Sequence, residues 1–396
     1  MRPDARVSAA IEIVSRVLAG AAADRALVAW GKANRFAGSG DRRAIGDIVF
    51  AALRNGAVNG DARAMVIAGL AKSNDAAALS ALFSGATHAP SPLTETERAA
   101  LGLANDTFPA WMAASFTRAF GDAATAELDA LLGRAPLDLR VNTLKATREA
   151  AIEKLIEEGI ISEPVPQVET ALRVIAGSVD VEGSEAHKLG LVEIQDAGSQ
   201  LAAAALAAQP GDTVLDLCAG AGGKTLALAA MMNNTGRILA CDTGAVRLKR
   251  LPGRAARAGV SIIETKLLAE DWLDQPSPFT ETFDRILIDA PCSGSGTWRR
   301  NPETRARLTP IRMAGLTALQ VYLLAAAAPL VRPGGRLTYV TCSILPDENE
   351  DIVEAFLSAH ADFTPAGPPR RLSPHSTGTD GFFIASFTRH APAEAS

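Results

Sequence analysis

The sequence predicts an α/β protein in which a helical region and a small α+β module precede the main sheet. From Gln209 onward, strand-like apolar runs alternate with helical runs, which is typical of a parallel sheet with helical crossovers. Before about residue 130, apolar residues instead recur at helical spacing, as Val7, Ile11 and Val14 do. The change of pattern along the chain therefore predicts separate domains.

We expect three domains: residues 1–130, 131–208 and 209–390. Gly, Asn, Asp and Pro breaks punctuate the first region and predict five to seven helices. The second region contains two strand-like stretches and one helical stretch: Arg134–Asn142, Ala171–Ala176 and Arg148–Glu158. These elements predict a small α+β module.

The third region supplies the main sheet. Its strand-like runs are Thr213–Leu217, Arg237–Cys241, Ser261–Thr265, Phe283–Asp289, Arg336–Thr341 and Phe382–Phe387. Its helical runs are Lys224–Met232, Val246–Ala258, Arg312–Val331 and Asp347–His360. In a parallel sheet of this kind, ligands bind at the carboxyl ends of the strands.

Composition narrows the classes of protein. Hydrophobic residues make up 48% and charged residues 21%, as in soluble globular proteins. The longest uninterrupted apolar stretches fall short of the roughly 18 residues that a membrane span needs, and Asp4 and Arg6 interrupt any signal peptide. Four scattered cysteines predict neither a disulfide framework nor a metal site. We therefore expect a cytoplasmic protein with reduced thiols and no membrane association.

The net charge of −5 argues mildly against nucleic acid binding, but the distribution of basic residues matters more than their sum. Two runs are locally basic, Ala245–Ala258 and Thr297–Arg312. Each is either a solvated surface or a phosphate-binding surface. The second run is the stronger candidate because it follows a cysteine-containing loop.

A glycine-rich loop follows the first strand of the main sheet. Gly220, Gly222 and Gly223 allow the backbone to approach a ligand closely and to adopt positive φ. The loop ends Gly-Lys-Thr, but Cys218 stands where a phosphate-binding Walker loop has its first glycine. The Walker interpretation therefore fails.

Acidic residues follow the next strands. Asp242 lies roughly 20 residues beyond the loop, where an acid accepts the hydroxyls of a ribose. The alternative role for Asp242 is to cap the next helix. Asp271 and Asp289 follow the third and fourth strands, so all three acids are expected at one edge of the sheet.

Two cysteines lie at the same edge. Cys292 follows the fourth strand and Cys342 the fifth, and these strands are expected to be neighbours. Cys218 and Cys241 lie within or beside strands, so we expect them to be structural. Two thiols and an acid at one edge would suit methylation of cytosine at carbon 5. In that reaction a thiolate adds to carbon 6 and makes carbon 5 nucleophilic. A second thiol could then assist release, and an acid such as Asp289 could protonate the ring nitrogen. The chemistry alone does not decide which thiol attacks.

These motifs resemble the Sun family of RNA 5-cytosine methyltransferases and, within it, the bacterial RsmB (Fmu) branch. The segments that carry the resemblance are Asp216–Thr225, Phe283–Gly296 with Arg299–Pro302, Val331–Glu350, Arg140–Lys145, Gln195–Gln200 and Asp380–Phe383. The paired Asp-Ala-Pro-Cys and Thr-Cys-Ser blocks are highly specific together.

The resemblance implies a Rossmann-like class I methyltransferase core, an N-terminal all-α NusB-like RNA-binding domain and S-adenosylmethionine as cofactor. It assigns Cys342 as the nucleophile and Cys292 as the group that assists release. It assigns these residues to the cofactor: Cys218, Ala219, Gly220, Ala221, Gly222, Gly223, Lys224, Asp242, Asp271 and Asp289. Three basic residues are expected to bind RNA: Arg299, Arg300 and Arg140.

The chain departs from the family pattern in two places. Ala221 stands where many relatives have proline, and Pro252-Gly253 interrupts the helix after Asp242.

Small-subunit (16S) ribosomal RNA is the favoured substrate and transfer RNA the second candidate, with the protein acting as a monomer. Three competing hypotheses are a catalytically decayed RNA-binding assembly factor, a DNA methylase and a redox dithiol protein.

Overall fold

The strand–helix alternation after residue 209 forms one large sheet in the computed structural model, which describes residues 1–102, 106–177 and 180–390. Contacts divide the chain into two compact units. The helical unit comprises Met1–Arg134 and Thr297–Pro310, and the sheet unit comprises Ala135–Gly296 and the chain from Ile311 onward. The domain boundaries at residues 130 and 208 stay predictions.

Eight α-helices lie among the described residues of Met1–Arg134. They are α1 (Pro3–Leu18), α2 (Ala23–Ala33), α3 (Ser39–Asn55), α4 (Ala62–Ala71), α5 (Ala76–Leu82), α6 (Glu95–Ala99), α7 (Ala113–Phe120) and α8 (Ala124–Leu132), with 3₁₀ turns at Ala110–Met112 and Gly121–Ala123. The all-α character is confirmed, but the predicted number of five to seven was too low. Helices α5 and α6 have seven and five residues, too few to produce a clear apolar period.

The apolar stripe of α1 forms the core of the helical unit. Val7, Ile13 and Val14 are completely buried, and they belong to one apolar cluster with Ile45 and Val49 of α3. Burial of an aliphatic side chain of this size contributes about 1.5–3 kcal/mol to folding. The spacing of these residues along α1 therefore decides which face of the helix turns inward.

The small α+β module is a four-stranded antiparallel sheet of order β2-β3-β1-β4. Its elements are β1 (Leu137–Val141), α9 (Arg148–Glu157), β2 (Ile160–Pro164), β3 (Ala171–Gly177), α10 (Glu185–Lys188) and β4 (Val192–Ile194), followed by α11 (Ala197–Ala204). The two predicted strands and the helix between them are confirmed. Strands β2 and β4 were missed because they have only five and three residues, too few for a clear alternation of apolar and polar positions.

The rest of the chain follows the predicted alternation. Its elements are β5 (Thr213–Asp216), α12 (Gly223–Met231), β6 (Arg237–Asp242), α13 (Ala245–Leu248), α14 (Leu251–Ala258), β7 (Ile263–Leu267), β8 (Phe283–Asp289), α15 (Glu303–Ala306), α16 (Pro310–Ala327), β9 (Val331–Thr341), α17 (Glu350–Ala359), β10 (Phe363–Pro365), β11 (Arg370–Leu372) and β12 (Phe382–Arg389). Further 3₁₀ turns lie at Trp272–Asp274, Ser295–Thr297, Ala328–Leu330 and Pro346–Glu348. Helix α15 belongs to the helical unit.

The helix predicted over Val246–Ala258 is interrupted, as Pro252 led us to expect. Two turn residues separate α13 from α14, and Pro252 lies in the first turn of α14. A proline there needs no backbone amide hydrogen bond, so it starts a new helix and cannot continue the old one.

The large sheet has the order β10-β12-β9-β8-β5-β6-β7, with β11 paired to β12. Strands β5 to β9 are parallel, but β12 is antiparallel to β9. The predicted parallel sheet is therefore confirmed for β5 to β9, whereas the last predicted strand, β12, is antiparallel. After β9 the chain forms α17 and then the short strands β10 and β11, and both of these pair antiparallel with β12.

Both faces of the parallel strands are buried. Along β5, Leu215 belongs to the apolar cluster on one face of the sheet and Val214 to the cluster on the other. Ile286 and Leu287 of β8 divide in the same way. Because both faces are covered, polar side chains meet at the strand ends, and the carboxyl ends of β5 to β9 form one edge.

Helix α16 with the turn after it, Pro310–Leu330, is long and apolar enough to cross a membrane by length and composition. One face of the helix packs into the sheet unit, where Leu323, Leu324 and Ala327 join the core and Gln320 is completely buried. One face of this helix thus packs into the core, while Ile311 and Tyr322 are exposed.

Candidate active site

The loop between β5 and α12 places glycines at two positions with positive φ, a backbone conformation that other residues rarely adopt. Gly220 and Gly222 have φ values of +57° and +83°. A Cβ on Gly222 would lie 2.1 Å from the side chain of Leu251, whereas a Cβ on Gly220 would meet no atom within 4 Å. The loop is therefore packed against α14 on one side and open to a ligand at Gly220.

Asp242 at the end of β6 holds this loop in place. Its Oδ2 accepts the backbone amide of Gly220 at 2.7 Å, and its Oδ1 accepts that of Gly244 at 2.5 Å and Arg247 Nη2 at 3.0 Å. The side chain is 4% exposed. Each carboxylate oxygen has two lone pairs, so Oδ2 keeps capacity for a further donor.

Asp271 follows β7 at the same edge of the sheet. The backbone amide of Leu268, just past β7, donates to the carbonyl of Asp242 at 3.0 Å and joins the two strand ends. Asp271 itself is exposed, and its Oδ2 accepts Gln275 Nε2 at 3.3 Å. The structure therefore places Asp271 beyond the strand but not in direct contact with Asp242.

Lys224 and Asp289 form an ion pair across this edge. The Lys224 Nζ donates to Asp289 Oδ2 at 2.6 Å and lies 5.3 Å from the centre of the Phe382 ring. Lys224 is 8% exposed. Although burial opposes its charge, the Asp289 carboxylate raises the pKa of Lys224 above its ordinary value. Asp289 is thus linked to a cationic proton donor.

Asp216, which sequence reasoning did not assign a role, ends β5 directly before the loop. Its Oδ2 accepts the hydroxyl of Thr225 at 2.6 Å, while Oδ1 is buried and has no hydrogen-bond partner among the described residues. Burial, partly opposed by Thr225, raises the pKa of Asp216 to about 7. Its position at a strand end was the available signal, the same one that identified Asp242.

The two thiols predicted to share a pocket are in contact. Strands β8 and β9 are parallel neighbours, and the Sγ atoms of Cys292 and Cys342 are 3.3 Å apart. Cys342 directly follows β9, and its carbonyl accepts the backbone amide of Gly296 at 3.0 Å. The expected neighbouring of the two strands is therefore confirmed.

Three serines join the segments that carry these thiols. Ser343 Oγ lies 3.0 Å from Ser295 Oγ and 3.3 Å from Ser293 Oγ. Ser295 Oγ also accepts the backbone amide of Ile344 at 3.0 Å. The neighbouring residues on both sides of the thiol pair thus fix the distance between the two sulfurs.

Glu348, a second residue that sequence reasoning did not assign, anchors the Cys292 loop. Its Oε1 accepts the backbone amide of Ser293 at 2.7 Å and Gln320 Nε2 at 3.1 Å, and its Oε2 accepts the Ser293 hydroxyl. Glu348 is completely buried. Gln320 also donates to the carbonyl of Pro291 at 3.0 Å, so α16 holds the loop as well.

The remaining two cysteines lie on other elements, Cys218 on the glycine loop and Cys241 in β6. Cys241 is completely buried within β6, and burial raises its pKa to about 12. Cys218 is half-buried on the loop, and burial raises its pKa well above the ordinary value. A thiol without its thiolate form is a poor nucleophile, which fits the structural role expected for both residues.

The basic residues expected to contact RNA do not lie together in one unit. Arg140 in β1 of the sheet unit is 3% exposed and donates to Gln195 Oε1 at 2.6 Å, and burial lowers its pKa to about 10. Arg299 and Arg300 belong to the helical unit. Arg299 is buried and its carbonyl accepts Arg54, whereas Arg300 is half-buried. Their roles toward RNA stay predictions.

Comparison with known proteins agrees with this geometry. Residues 203–388 match the sequence model of a family described as 16S rRNA methyltransferase RsmB/F. Residues 108–182 match the ferredoxin-like domain of RsmF/B-like methyltransferases.

Relatives and solved structures extend the likeness to most of the chain. A Synechocystis protein named probable ribosomal RNA small subunit methyltransferase B is 35% identical over 345 residues, which are 81% of this chain and 76% of that protein. The crystal structure of PH0851 superposes with a TM-score of 0.79 at 28% identity and covers 98% of this chain and 99% of its own.

A methyltransferase homologue from Pyrococcus horikoshii superposes with a TM-score of 0.64 at 28% identity, over 72% of this chain and 96% of its own. These structures confirm the predicted Rossmann-like methyltransferase core, and the sequence matches confirm the predicted family. The chain therefore belongs to the RsmB/F family of 16S rRNA methyltransferases.

Proposed function

We propose that the chain transfers a methyl group from S-adenosylmethionine to carbon 5 of a cytosine in RNA, through a covalent adduct with Cys342. The contact between Cys292 and Cys342, at the strand edge that also holds the glycine loop, carries this proposal. Membership of the family supports RNA methyltransferase activity. The pair of thiols supports carbon 5 of cytosine as the methylated atom, because methylation there needs a thiol nucleophile.

The residues at the glycine loop fit this cofactor. The loop is open at Gly220, the amino end of α12 suits a carboxylate, and Asp242 has acceptor capacity for ribose hydroxyls. Asp271 follows the neighbouring strand, and Asp216 has an unpartnered buried oxygen beside the loop. When bound, S-adenosylmethionine supplies the electrophilic methyl group.

Cys342 acts as the nucleophile toward carbon 6 of the cytosine. Its sulfur forms a bond to that carbon, and the electron pair of the carbon 5–carbon 6 double bond moves into the ring. The ring nitrogen takes up a proton from the Lys224–Asp289 pair, since Lys224 donates directly to the Asp289 carboxylate. Carbon 5 becomes nucleophilic as a result.

Cys292 assists release of the methylated base from Cys342. After methylation, the proton on carbon 5 must leave before the bond between carbon 6 and Cys342 can break. The sulfur of Cys292 is 3.3 Å from that of Cys342, so a base at Cys292 lies close to the same ring. Removal of this proton restores the ring and expels the Cys342 thiolate.

The substrate is small-subunit ribosomal RNA. This choice rests on the relatives, which are named for the small subunit, and transfer RNA is the second candidate. The helical domain of residues 1–130, which resembles NusB, binds this RNA together with Arg299, Arg300 and Arg140. The protein acts as a cytoplasmic monomer.

Bisulfite sequencing of total RNA tests the proposal, because 5-methylcytosine resists deamination. We expect one cytosine of 16S ribosomal RNA to lose its protection when the gene is deleted and to regain it with the wild-type chain. The Cys342→Ala variant should not restore protection, whereas Cys241→Ala, which removes a buried thiol away from the pair, should restore it.

Loss of protection in transfer RNA instead would reassign the substrate. Unchanged protection throughout all RNA, combined with retained RNA binding, would contradict the methyltransferase and favour a decayed assembly factor.

A further inference from the structure

The two thiols at the strand edge share one hydrogen bond but have different electrostatic neighbours. The Sγ atoms are 3.3 Å apart, so one sulfur donates its proton to the other. When one of the two thiols ionises to become a nucleophile, the remaining proton must stay on one particular sulfur. The surrounding charges decide which sulfur that is.

An anion lies on the Cys292 side. The Glu348 carboxylate accepts both the backbone amide and the hydroxyl of Ser293, the residue next to Cys292. Glu348 is completely buried, so solvent screens its charge little. A carboxylate held at this position disfavours a second negative charge on Cys292.

A cation lies on the Cys342 side. The ammonium of Lys224 interacts electrostatically with the Cys342 sulfur as well as with Asp289. Its position is fixed by the 2.6 Å hydrogen bond to Asp289. A thiolate on Cys342 is stabilised by this cation.

We propose that Glu348 is a positioning residue that keeps the shared proton on Cys292 and thereby leaves Cys342 as the attacking thiolate. This inference rests on the proposed function, and it names the group that distinguishes two otherwise similar thiols. It goes beyond the assignment of the nucleophile, because it explains why Cys292 does not attack.

The groups around Cys292 also favour its protonated form. The hydrogen bond to Cys342, burial, and the charges of Cys342 and Glu348 raise the pKa of Cys292 well above its ordinary value. Tyr339, packed nearby on β9, is neutral, because burial and then the charges of Cys292 and Glu348 raise its pKa well above the ordinary value. Among the described residues, the titratable groups that interact with Cys292 in this way are Cys342, Glu348 and Tyr339, and these three include no cation.

The arrangement also accounts for the exchange of roles during the reaction. When Cys342 bonds to carbon 6, its negative charge disappears, and with it the largest cause that holds the proton on Cys292. Cys292 then loses its proton to solvent and as a thiolate takes the proton from carbon 5. Cys342 leaves as a thiolate, so the starting state, a thiol at Cys292 and a thiolate at Cys342, is restored.

Alkylation of the full-length protein, without RNA or cofactor, tests this inference. Iodoacetamide reacts with thiolates, and mass spectrometry separates the peptides of the two cysteines. In the wild type we expect Cys342 to react faster than Cys292 between pH 7 and 9. In Glu348→Gln, which keeps the size of the side chain and removes the charge, this preference should fall about tenfold, the change that one pKa unit gives.

Glu350→Gln is the matched control, since Glu350 lies two residues along the chain and is half exposed, bonded to Arg371. It should leave the preference unchanged. A folded Glu348→Gln variant with the wild-type preference and pH profile would overturn the inference, and so would a wild type in which Cys292 reacts first.

A second pair of variants is needed in case Glu348→Gln does not fold. In Cys342→Ser and Cys292→Ser, the partner thiol is absent, so the difference between the remaining thiols comes from their burial and from the charges of Glu348 and Lys224. Cys292 should titrate at higher pH than Cys342, and the opposite order would overturn the inference. Because no methylation is measured, failure of the proposed function would leave these results unaffected.

Discussion

The segments that follow β8 and β9 carry similar groups but lie in different surroundings. Each presents a cysteine next to a serine at the same edge of the sheet, and their sulfurs are 3.3 Å apart. The Cys292 segment is anchored by the buried Glu348 carboxylate, whereas the Cys342 segment lies near the Lys224 ammonium. Both thiols share a position at a strand end, so under the proposed mechanism the neighbouring charges are what distinguish them.

Removal of the Lys224 ammonium should have the largest effect on the difference between the two thiols. In Lys224→Met, the Cys342 thiolate and the Asp289 carboxylate both lose their positive neighbour, and a proton donor is lost. We expect kcat to fall by about 10²–10⁴-fold, the range for a lost acid–base group. Single-turnover methylation of the target RNA measures this fall.

The control for that experiment is Lys188→Met, which breaks an exposed i,i+3 ion pair with Glu185. A solvent-exposed pair of this kind contributes little to stability, so activity should stay near wild type. A Lys224→Met variant with wild-type kcat would show that the cation does not activate Cys342.

Replacement of Asp242 should weaken the cofactor without changing either thiol. In Asp242→Ala, the backbone amides of Gly220 and Gly244 lose their acceptor, and ribose hydroxyls lose theirs. We expect the binding of S-adenosylmethionine to weaken by about 1–3 kcal/mol, as measured by calorimetry. The alkylation preference for Cys342 should stay at the wild-type value.

Asp284→Ala is a suitable control for Asp242→Ala, because Asp284 lies at the amino end of β8, opposite the cofactor edge. There it accepts the backbone amide of Thr213 and pairs with Arg332. Cofactor affinity should be unchanged in this variant. Equal affinity for Asp242→Ala and wild type, with the fold intact, would take Asp242 out of the cofactor site.

The sequence predicted which polar residues and thiols lie at the strand ends. Asp242 and Asp289 end strands with a clear apolar pattern, Cys292 and Cys342 come after such strands, and parallel strand ends meet at one edge. The strands and most helices of residues 209–390 were predictable for the same reason. Hydrophobic periodicity is a local property, so it can be read from a segment of sequence without knowing which elements that segment packs against.

Residues that act through distant partners could not be predicted in this way. Glu348 binds Ser293, 55 residues away in sequence, and Asp216 is distinguished only by the burial of an oxygen without a partner. The antiparallel pairing of β12 also depends on the path of the chain through β10 and β11. Each of these features is decided by tertiary packing, which no local pattern records.

Trapping of the covalent adduct tests the central claim that Cys342 attacks and Cys292 releases. Addition precedes methyl transfer and elimination comes last, so the loss of each thiol arrests a different state. Purified Cys342→Ala and Cys292→Ala are incubated with the target RNA and cofactor, then separated on a denaturing gel. We expect no adduct with Cys342→Ala, although it binds S-adenosylmethionine normally, and a stable protein–RNA adduct with Cys292→Ala. Adducts from Cys342→Ala and none from Cys292→Ala would contradict the claim and make Cys292 the nucleophile.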